Sequence, residues 1–204
     1  IEENNNLYDF VLTFDQKLIN KGQNYLYYPH GRCWIHNYEG IDDKTKFCSI
    51  FASDKAMTLG HRLRHMIIDR YRSTDKMDCY GKYSGNVLEK KEDGLNPYRF
   101  SVTIENAIVR GYWTEKLLDA FATKSIPIYY GDKFSVNKFF NEDGIIYFDT
   151  IEQLDEIMEK IQGDDNGVSF YEERLDAIEE NFKKVEEFRV PEDWIFEEYP
   201  FLFE

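Results

Sequence analysis

The stretch that decides the fold is YRFSVTIENAIVRGYWTEKLLDAFATKSIPIYYGD, residues 98–132 of the 204-residue chain. It begins with an apolar, β-branched run at 98–104 and closes with another at 126–131, which predicts two buried strands. Between them, Thr114 precedes apolar residues at helical spacing, which predicts a helix over 114–123. A strand, a helix and a strand in this order are typical of a parallel α/β unit.

The same alternation continues on both sides of this unit. We predict further strands at 7–14, 25–29, 46–54, 78–81 and 145–150, and further helices at 58–71, 150–161 and 171–185. Residues 81–96 are polar and are predicted to be loop with some helix, and 191–204 form an aromatic, acidic helical tail. This pattern predicts an α/β fold: a Rossmann-like, doubly wound parallel sheet with helices on both faces.

Composition limits the classes of partner and compartment. Asp and Glu number 39 against 25 Lys and Arg, a net charge of −14, which disfavours nucleic acid and anionic lipid as main partners. The three cysteines, Cys33, Cys48 and Cys79, lack metal-site spacing, and we expect reduced thiols in a cytoplasmic protein. No apolar run approaches the ~20 residues of a membrane helix.

Polar residues follow the predicted strands where an open parallel sheet binds its ligands, at the carboxyl ends. Glu105 and Asn106 stand at one such end, and Thr114, Glu115 and Lys116 occupy the first turn of the next helix. Free backbone N–H groups favour an anion there, and a lysine would add a full positive charge. A first-turn acid also suits the helix dipole without any ligand, so Glu115 alone decides nothing.

The preceding strand and helix repeat this arrangement with two arginines. At about 100° per residue, Arg64 lies roughly 60° from Ile67 around the helix and Arg62 roughly 140°. This favours Arg64 as the one that reaches inward, where a guanidinium matches a phosphate. A solvated helix face remains the alternative for either arginine.

Several other kinds of site are not supported. The chain has neither a P-loop nor a dinucleotide-binding glycine motif, and no two aspartates stand at i and i+2. The acidic runs GDDNG and NEDG are interpreted as turns, so we expect no metal and no cofactor. The four histidines, His30, His36, His61 and His65, are interpreted as structural or exposed. The residues alone thus indicate an α/β domain that binds a phosphate-bearing ligand.

At TIENAIVRGYWTEKLLDAFATKSIPIYYGD the sequence resembles the α-1,3-fucosyltransferase family, in particular bacterial or viral members. The carrying residues are Glu105-Asn106, Tyr112, Thr114-Glu115-Lys116, and Ile126-Pro127 followed by aromatic residues and Gly131. Two departures are Ile104, where the family usually has Phe, and Ala107, where it has Ser or Thr. Residues 51–71 resemble the family segment that places a phosphate-binding arginine on a helix.

The resemblance implies a metal-free, inverting transfer of fucose from GDP-fucose to a sugar hydroxyl of a glycan acceptor. It implies that Arg64 and Lys116 hold the diphosphate and stabilise the leaving group, and that Asn106, Tyr112 and Glu115 complete the donor site. A related transferase with another nucleotide sugar, or a non-catalytic binding module, is the alternative.

The resemblance also implies a GT-B enzyme, of which this chain is the donor-binding half. Residues 1–42 are then a linking segment or a remnant of the acceptor domain, 43–190 the donor-binding domain and 191–204 the tail. The general base is expected upstream of Ile1, since Glu2 and Glu3 are the only nearby acids and neither has a convincing context. A missing N-terminal domain or an oligomer contact would cover the aromatic tail, and ordinary packing of the tail onto its own domain is the alternative.

Overall fold

A computed structural model describes residues 7–29, 31–35 and 43–204. The strands are β1 (Val11–Thr13), β2 (Tyr25–Tyr27), β3 (Lys46–Phe51), β4 (Asp78–Tyr80), β5 (Tyr98–Ile104), β6 (Ile126–Tyr130) and β7 (Ile146–Tyr147). The α-helices are α1 (Gln16–Ile19), α2 (Leu59–Tyr71), α3 (Glu115–Ala122), α4 (Lys133–Val136), α5 (Ile151–Gln162), α6 (Val168–Glu172), α7 (Leu175–Lys184) and α8 (Pro191–Glu198). Short 3-10 helices lie at Lys91–Gly94, Glu142–Gly144, Val185–Phe188 and Pro200–Phe203.

Five of the strands form the central sheet, in the order β4-β3-β5-β6-β7. Every neighbouring pair in it is parallel. The chain leaves β3 towards β4 and then returns past β3 to reach β5, so the direction of winding reverses between β3 and β5. Such a reversal leaves a crevice at the carboxyl ends of the two strands, which is where open α/β sheets bind ligands. The predicted doubly wound parallel sheet is confirmed.

Helices cover both faces of this sheet, because side chains of successive strand residues point to opposite faces. On one face, Ile67 and Ile68 of α2 and Leu154 of α5 pack in one core with Phe100. On the other face, the apolar side of α3 packs in a second core with residues of the last helical segments. The crevice between β3 and β5 is therefore walled by the first turns of α2 and α3.

The helical tail packs on the N-terminal segment. The ring of Trp194 in α8 lies 5.7 Å from that of Tyr28, edge to face. The hydroxyl of Tyr199 donates a 2.7 Å hydrogen bond to the carbonyl of Tyr27. β1 and β2 themselves form a separate two-stranded parallel sheet. The last residues are helical, as α8 and the 3-10 helix Pro200–Phe203, and residues 25–28 supply part of the surface that they cover.

Several of the predicted elements are shorter or broken in the structure, among them the strand predicted over 25–29, which ends at Tyr27, and the strand predicted over 46–54, which ends at Phe51. The strand predicted over 7–14 is limited to Val11–Thr13, and the strand predicted over 145–150 to Ile146–Tyr147. The helix predicted over 171–185 is wrong as a continuous element. It breaks at Arg174, whose backbone is non-helical (φ −116°, ψ 11°) and whose Nη1 donates to the Phe170 carbonyl of α6 at 2.9 Å. The guanidinium thereby satisfies a carbonyl near the end of that short helix.

No helix among residues 7–29, 31–35 and 43–204 combines the length and apolar character needed to cross a membrane. The cysteines in these ranges, Cys33, Cys48 and Cys79, form no disulfide. Two of the histidines interpreted as structural or exposed, His30 and His36, lie outside the described residues, as do the candidate bases Glu2 and Glu3.

Candidate functional site

A cavity of about 510 Å³ opens at the point where the winding of the sheet reverses. Its walls include the ends of β3 and β5, the first turns of α2 and α3, and the loop that follows β4. We call this space the switch-point cavity. The residues that line it are Trp34, Phe51, Ala52, Ser53, Lys55, His61, Arg64, Gly81, Lys82, Val87, Lys91, Leu95, Ser101, Val102, Thr103, Ile104, Asn106, Glu115 and Lys116.

The charge of this lining is opposite to that of the chain as a whole. The cations of the lining are Lys55, Arg64, Lys82, Lys91 and Lys116. The acid among these lining residues is Glu115. Five cations stand against one carboxylate in this lining, although the net charge of the chain is −14, and such a local excess of positive charge would favour an anion.

Arg64 faces inward, as the helical angles predict, and is 5% exposed, whereas Arg62 is exposed. Its Nε and Nη2 donate to the Ile104 carbonyl at 3.2 and 2.6 Å, and Nη2 also donates to Asn106 Oδ1 at 2.8 Å. Two nitrogens of the guanidinium thus fasten α2 to the end of β5. Nη1 makes no hydrogen bond within the described residues.

Glu105 is fully buried and holds the start of α3. Its carboxylate accepts from the Thr114 backbone N–H at 2.8 Å and from the Thr114 hydroxyl at 2.7 Å. Tyr129 donates a third, longer hydrogen bond at 3.3 Å. Burial raises the pKa of Glu105, while the Lys116 ammonium and the Thr114 hydrogen bonds oppose that rise. Glu105 is therefore a support of the cavity wall and does not line the cavity itself.

Lys116 lies among acceptors in the first turn of α3. Its ammonium donates to Glu115 Oε1 at 2.8 Å and to the Thr114 hydroxyl at 3.1 Å, and lies 3.8 Å from Glu105 Oε2. These carboxylates offset the cost of a cation at a helix N-terminus. Burial alone would raise the pKa of Glu115, but the Lys116 ammonium holds it below its ordinary value. The ammonium of Lys116 thus favours the carboxylate form of Glu115, and the pair is orientated at the cavity wall.

The two remaining predicted site residues are placed differently. Asn106 lines the cavity, and its side-chain oxygen is the acceptor for Arg64. Tyr112 stands on the loop between β5 and α3 but does not line the switch-point cavity. Its ring packs against Phe14, with ring centroids 5.2 Å apart. A contact between Tyr112 and the donor stays a prediction, as does the phosphate contact of Arg64 and Lys116.

Sequence reasoning missed a second cationic wall of the cavity, centred on Lys91. The Lys91 ammonium pairs with Asp119 of α3 at 2.6 Å, and Asp119 is fully buried. Asp119 also accepts from the Trp34 backbone N–H at 2.8 Å. It thereby joins the N-terminal segment, the loop after β4 and α3. The sequence contains one signal of this pair: the charged residue Asp119 stands next to Leu118 on an otherwise apolar helix.

Metal binding finds no obvious site in the part of the chain that is described. Within it, no group of three or more His, Cys, Asp or Glu side chains is placed to hold a metal ion. The charge that would neutralise an anion in the cavity comes from the lysines and Arg64.

Comparison with known proteins places this geometry in context. The family model described as glycosyltransferase family 10 (fucosyltransferase), C-terminal, matches residues 41–188. A provisionally named fucosyltransferase of Acanthamoeba polyphaga mimivirus is 27% identical over 86% of this chain and 34% of its own length. The alpha-(1,3)-fucosyltransferase FucT of Helicobacter pylori is 29% identical over 64% of this chain and 27% of its own length. The chain thus spans about a third or less of these curated relatives.

Solved structures share the fold. An alpha-1,3-fucosyltransferase crystallised with GDP superposes with a TM-score of 0.63 at 22% identity, over 91% of this chain and 69% of that chain. At this identity the similarity establishes the fold, the Rossmann-like half of a GT-B glycosyltransferase.

Proposed function

The chain belongs to glycosyltransferase family 10, the fucosyltransferases, and from this premise we propose that it supplies the donor-binding half of a fucosyltransferase. The proposed reaction transfers fucose from GDP-fucose to a sugar hydroxyl of a glycan acceptor with inversion. The observation that carries the proposal is the switch-point cavity, with five cations on an acidic chain between two helix N-termini. We place the enzyme in the cytoplasm, in keeping with its free cysteines.

The cations of the cavity have a clear task in such a reaction. The acceptor oxygen attacks the anomeric carbon of fucose from one face while the bond to the diphosphate oxygen breaks on the other. GDP leaves with the bonding electrons, and negative charge grows on its diphosphate. Lys116 and the free Nη1 of Arg64 would meet that charge, the electrostatic effect that commonly contributes most to such a step. No cofactor or metal takes part in this proposal.

The other residues have supporting tasks. Glu115 keeps Lys116 orientated and would accept hydrogen bonds from hydroxyls of the donor, while Asn106 and Tyr112 would border the same site. The proton of the attacking hydroxyl passes to a general base, which we propose belongs to the acceptor-binding half. The cavity itself would then bind donor and stabilise the leaving group.

The same cavity would also serve a transferase with another nucleotide sugar, or a binding module without activity. The preference for guanine over other nucleotide bases distinguishes the proposed function from the first alternative. Turnover of GDP-fucose with glycan acceptors distinguishes it from the second. Both can be measured on the same preparation.

The test is a calorimetric titration of the chain with GDP, GDP-fucose and UDP, with Lys116→Ala beside Lys160→Ala. Lys160 is exposed near the end of α5 and outside the cavity, so its variant makes the same change in net charge. We expect GDP and GDP-fucose to bind and UDP to bind at least tenfold more weakly. Lys116→Ala should weaken GDP by about tenfold or more, and Lys160→Ala should not. Equal affinities of the wild-type chain for UDP and GDP would overturn the assignment. Equal affinities of Lys116→Ala and Lys160→Ala for GDP would overturn it as well.

A further inference from the structure

His61 is a buried side chain of the switch-point cavity that the proposed function does not yet use. It is the third residue of α2 and is 7% exposed. It lines the cavity together with Arg64 and Lys116. The sequence analysis interpreted it as structural or exposed, and one of its two ring nitrogens does have a structural role.

The structural half is Nδ1, which completes the capping box of α2. The Thr58 backbone N–H donates to Nδ1 at 3.3 Å, and the Thr58 hydroxyl lies 2.8 Å from the same atom. The Thr58 hydroxyl in turn accepts from the His61 backbone N–H at 3.2 Å. A backbone N–H can only donate, so Nδ1 carries a lone pair and the ring proton of neutral His61 is on Nε2.

The neighbouring charges keep the imidazole neutral. Burial lowers the pKa of His61, and the positive charges of Arg64, Lys55 and Lys116 and the neighbouring His65 lower it further. The cap itself adds to this effect, since protonation of Nδ1 would break its hydrogen bond to Thr58. At neutral pH the ring therefore offers the cavity one group, the Nε2–H donor.

This donor has no hydrogen-bond partner within residues 7–29, 31–35 and 43–204. Nε2 retains access to the space of the cavity, so an acceptor atom of a ligand bound there can take its hydrogen bond. Because three cations surround it, the acceptor that fits best is an anionic oxygen. We propose that His61 binds the nucleotide-sugar donor by donating a hydrogen bond from Nε2–H to an oxygen of its diphosphate, and this rests on the proposed function.

Two substitutions at His61 distinguish the role of Nδ1 in the helix cap from the role of Nε2 in the cavity. The amide oxygen of Asn in His61→Asn can take the position of Nδ1 and accept from Thr58, but the donor that reaches the cavity is lost. The longer side chain of His61→Gln places an N–H near the position of Nε2. We expect His61→Asn to weaken GDP-fucose binding by about 10- to 100-fold and His61→Gln by no more than about threefold, measured by calorimetry.

A second measurement uses the wild-type chain and does not depend on how the variants fold. In ¹⁵N NMR spectra with labelled histidine, His61 should show the tautomer protonated at Nε2. Saturation with GDP should shift its Nε2 signal, with the resonance assigned by through-bond correlation experiments on the wild-type protein. A thermal midpoint for each variant shows whether its calorimetric result can be interpreted.

The outcomes distinguish this inference from the proposed function. If the wild-type chain binds neither GDP nor GDP-fucose, the proposed function is wrong and the inference falls with it. If the wild type binds GDP-fucose, a stable His61→Asn variant of unchanged affinity overturns the inference alone. An Nε2 signal that GDP leaves unmoved overturns it equally, even where both variants unfold.

Discussion

Replacement of Gly60 by alanine tests how the cavity is built. Gly60 is the second residue of α2, and its N–H donates to the Asn106 carbonyl at 3.1 Å. A Cβ there would lie 1.9 Å from the Glu105 carbonyl oxygen and 2.9 Å from the Cα of Asn106. Both neighbours are backbone atoms, so no side-chain rotation can relieve the overlap. Helix α2 would have to move away from the end of β5.

The size of the effect follows from two opposing contributions. Glycine to alanine in a helix ordinarily stabilises by about 1 kcal/mol. Overpacking against fixed atoms costs about 1–3 kcal/mol, and an overlap of this depth with backbone belongs at the upper end. We therefore expect Gly60→Ala to lower the free energy of unfolding by about 2 kcal/mol. The affinity for GDP should fall as well, because Arg64 and His61 move with the helix.

Urea unfolding followed by circular dichroism measures this change, with calorimetry for GDP. Arg62→Ala is the matched control, because Arg62 is exposed on the same helix two residues later and should change stability by less than about 0.5 kcal/mol. A Gly60→Ala protein as stable as the wild type, or more stable, would refute the close approach of α2 to β5.

Three further predictions concern polar groups that are buried or partly buried. Asp119→Asn should lower the free energy of unfolding by about 2–3 kcal/mol in urea titrations, because an amide N–H would face groups that already donate; unchanged stability would contradict this. Glu115→Gln should cost about 1 kcal/mol above the ordinary glutamate pKa near 4.3. Because the pKa of Glu115 is lower in the folded state, the difference from wild type should vanish as pH falls through that lower value; a loss that persists in acid would exclude ionisation as its cause. Burial raises the pKa of Cys33 to about 12 and of Cys79 to about 11, so iodoacetamide at pH 8 should label the native protein far more slowly than the urea-unfolded one; equal rates would contradict the burial.

The central strand–helix–strand unit could be predicted from the sequence because its signals are local. The strand at 98–104 has the predicted bounds, and the helix predicted over 114–123 is α3 together with its two caps. The parallel, doubly wound sheet also follows from the alternation of strands and helices, whereas the strand order comes from the structure. Polar residues at the carboxyl end of β5 then indicate where a ligand would bind.

The rest of the cavity depends on contacts between distant segments. The loop after β4 reads as polar and irregular, and nothing local shows that Lys91 pairs with Asp119, 28 residues away. The double use of Arg64, as a fastener of β5 and a cavity group, is equally hidden in the sequence. The role of His61 depends on which ring nitrogen the cap occupies, and only the structure supplies that. Local patterns therefore predicted the position of the cavity better than its lining.

The short strands at the N-terminus show a different limit. Residues 7–14 are apolar and aromatic enough to predict a full strand, but Leu7 and Tyr8 are 72% and 63% exposed. The observed strand keeps the three residues that pair with β2. Strand propensity reflects how well side chains pack on their neighbours in a sheet. Residues that lack such neighbours therefore do not form a strand, even when their propensity is high.

The most direct test of the central claim is a crystal structure of this chain with GDP-fucose bound. We expect the diphosphate in the switch-point cavity, with Lys116 and Nη1 of Arg64 within hydrogen-bond distance of its oxygens. A nucleotide bound elsewhere on the protein, or a diphosphate that neither cation contacts, would contradict it.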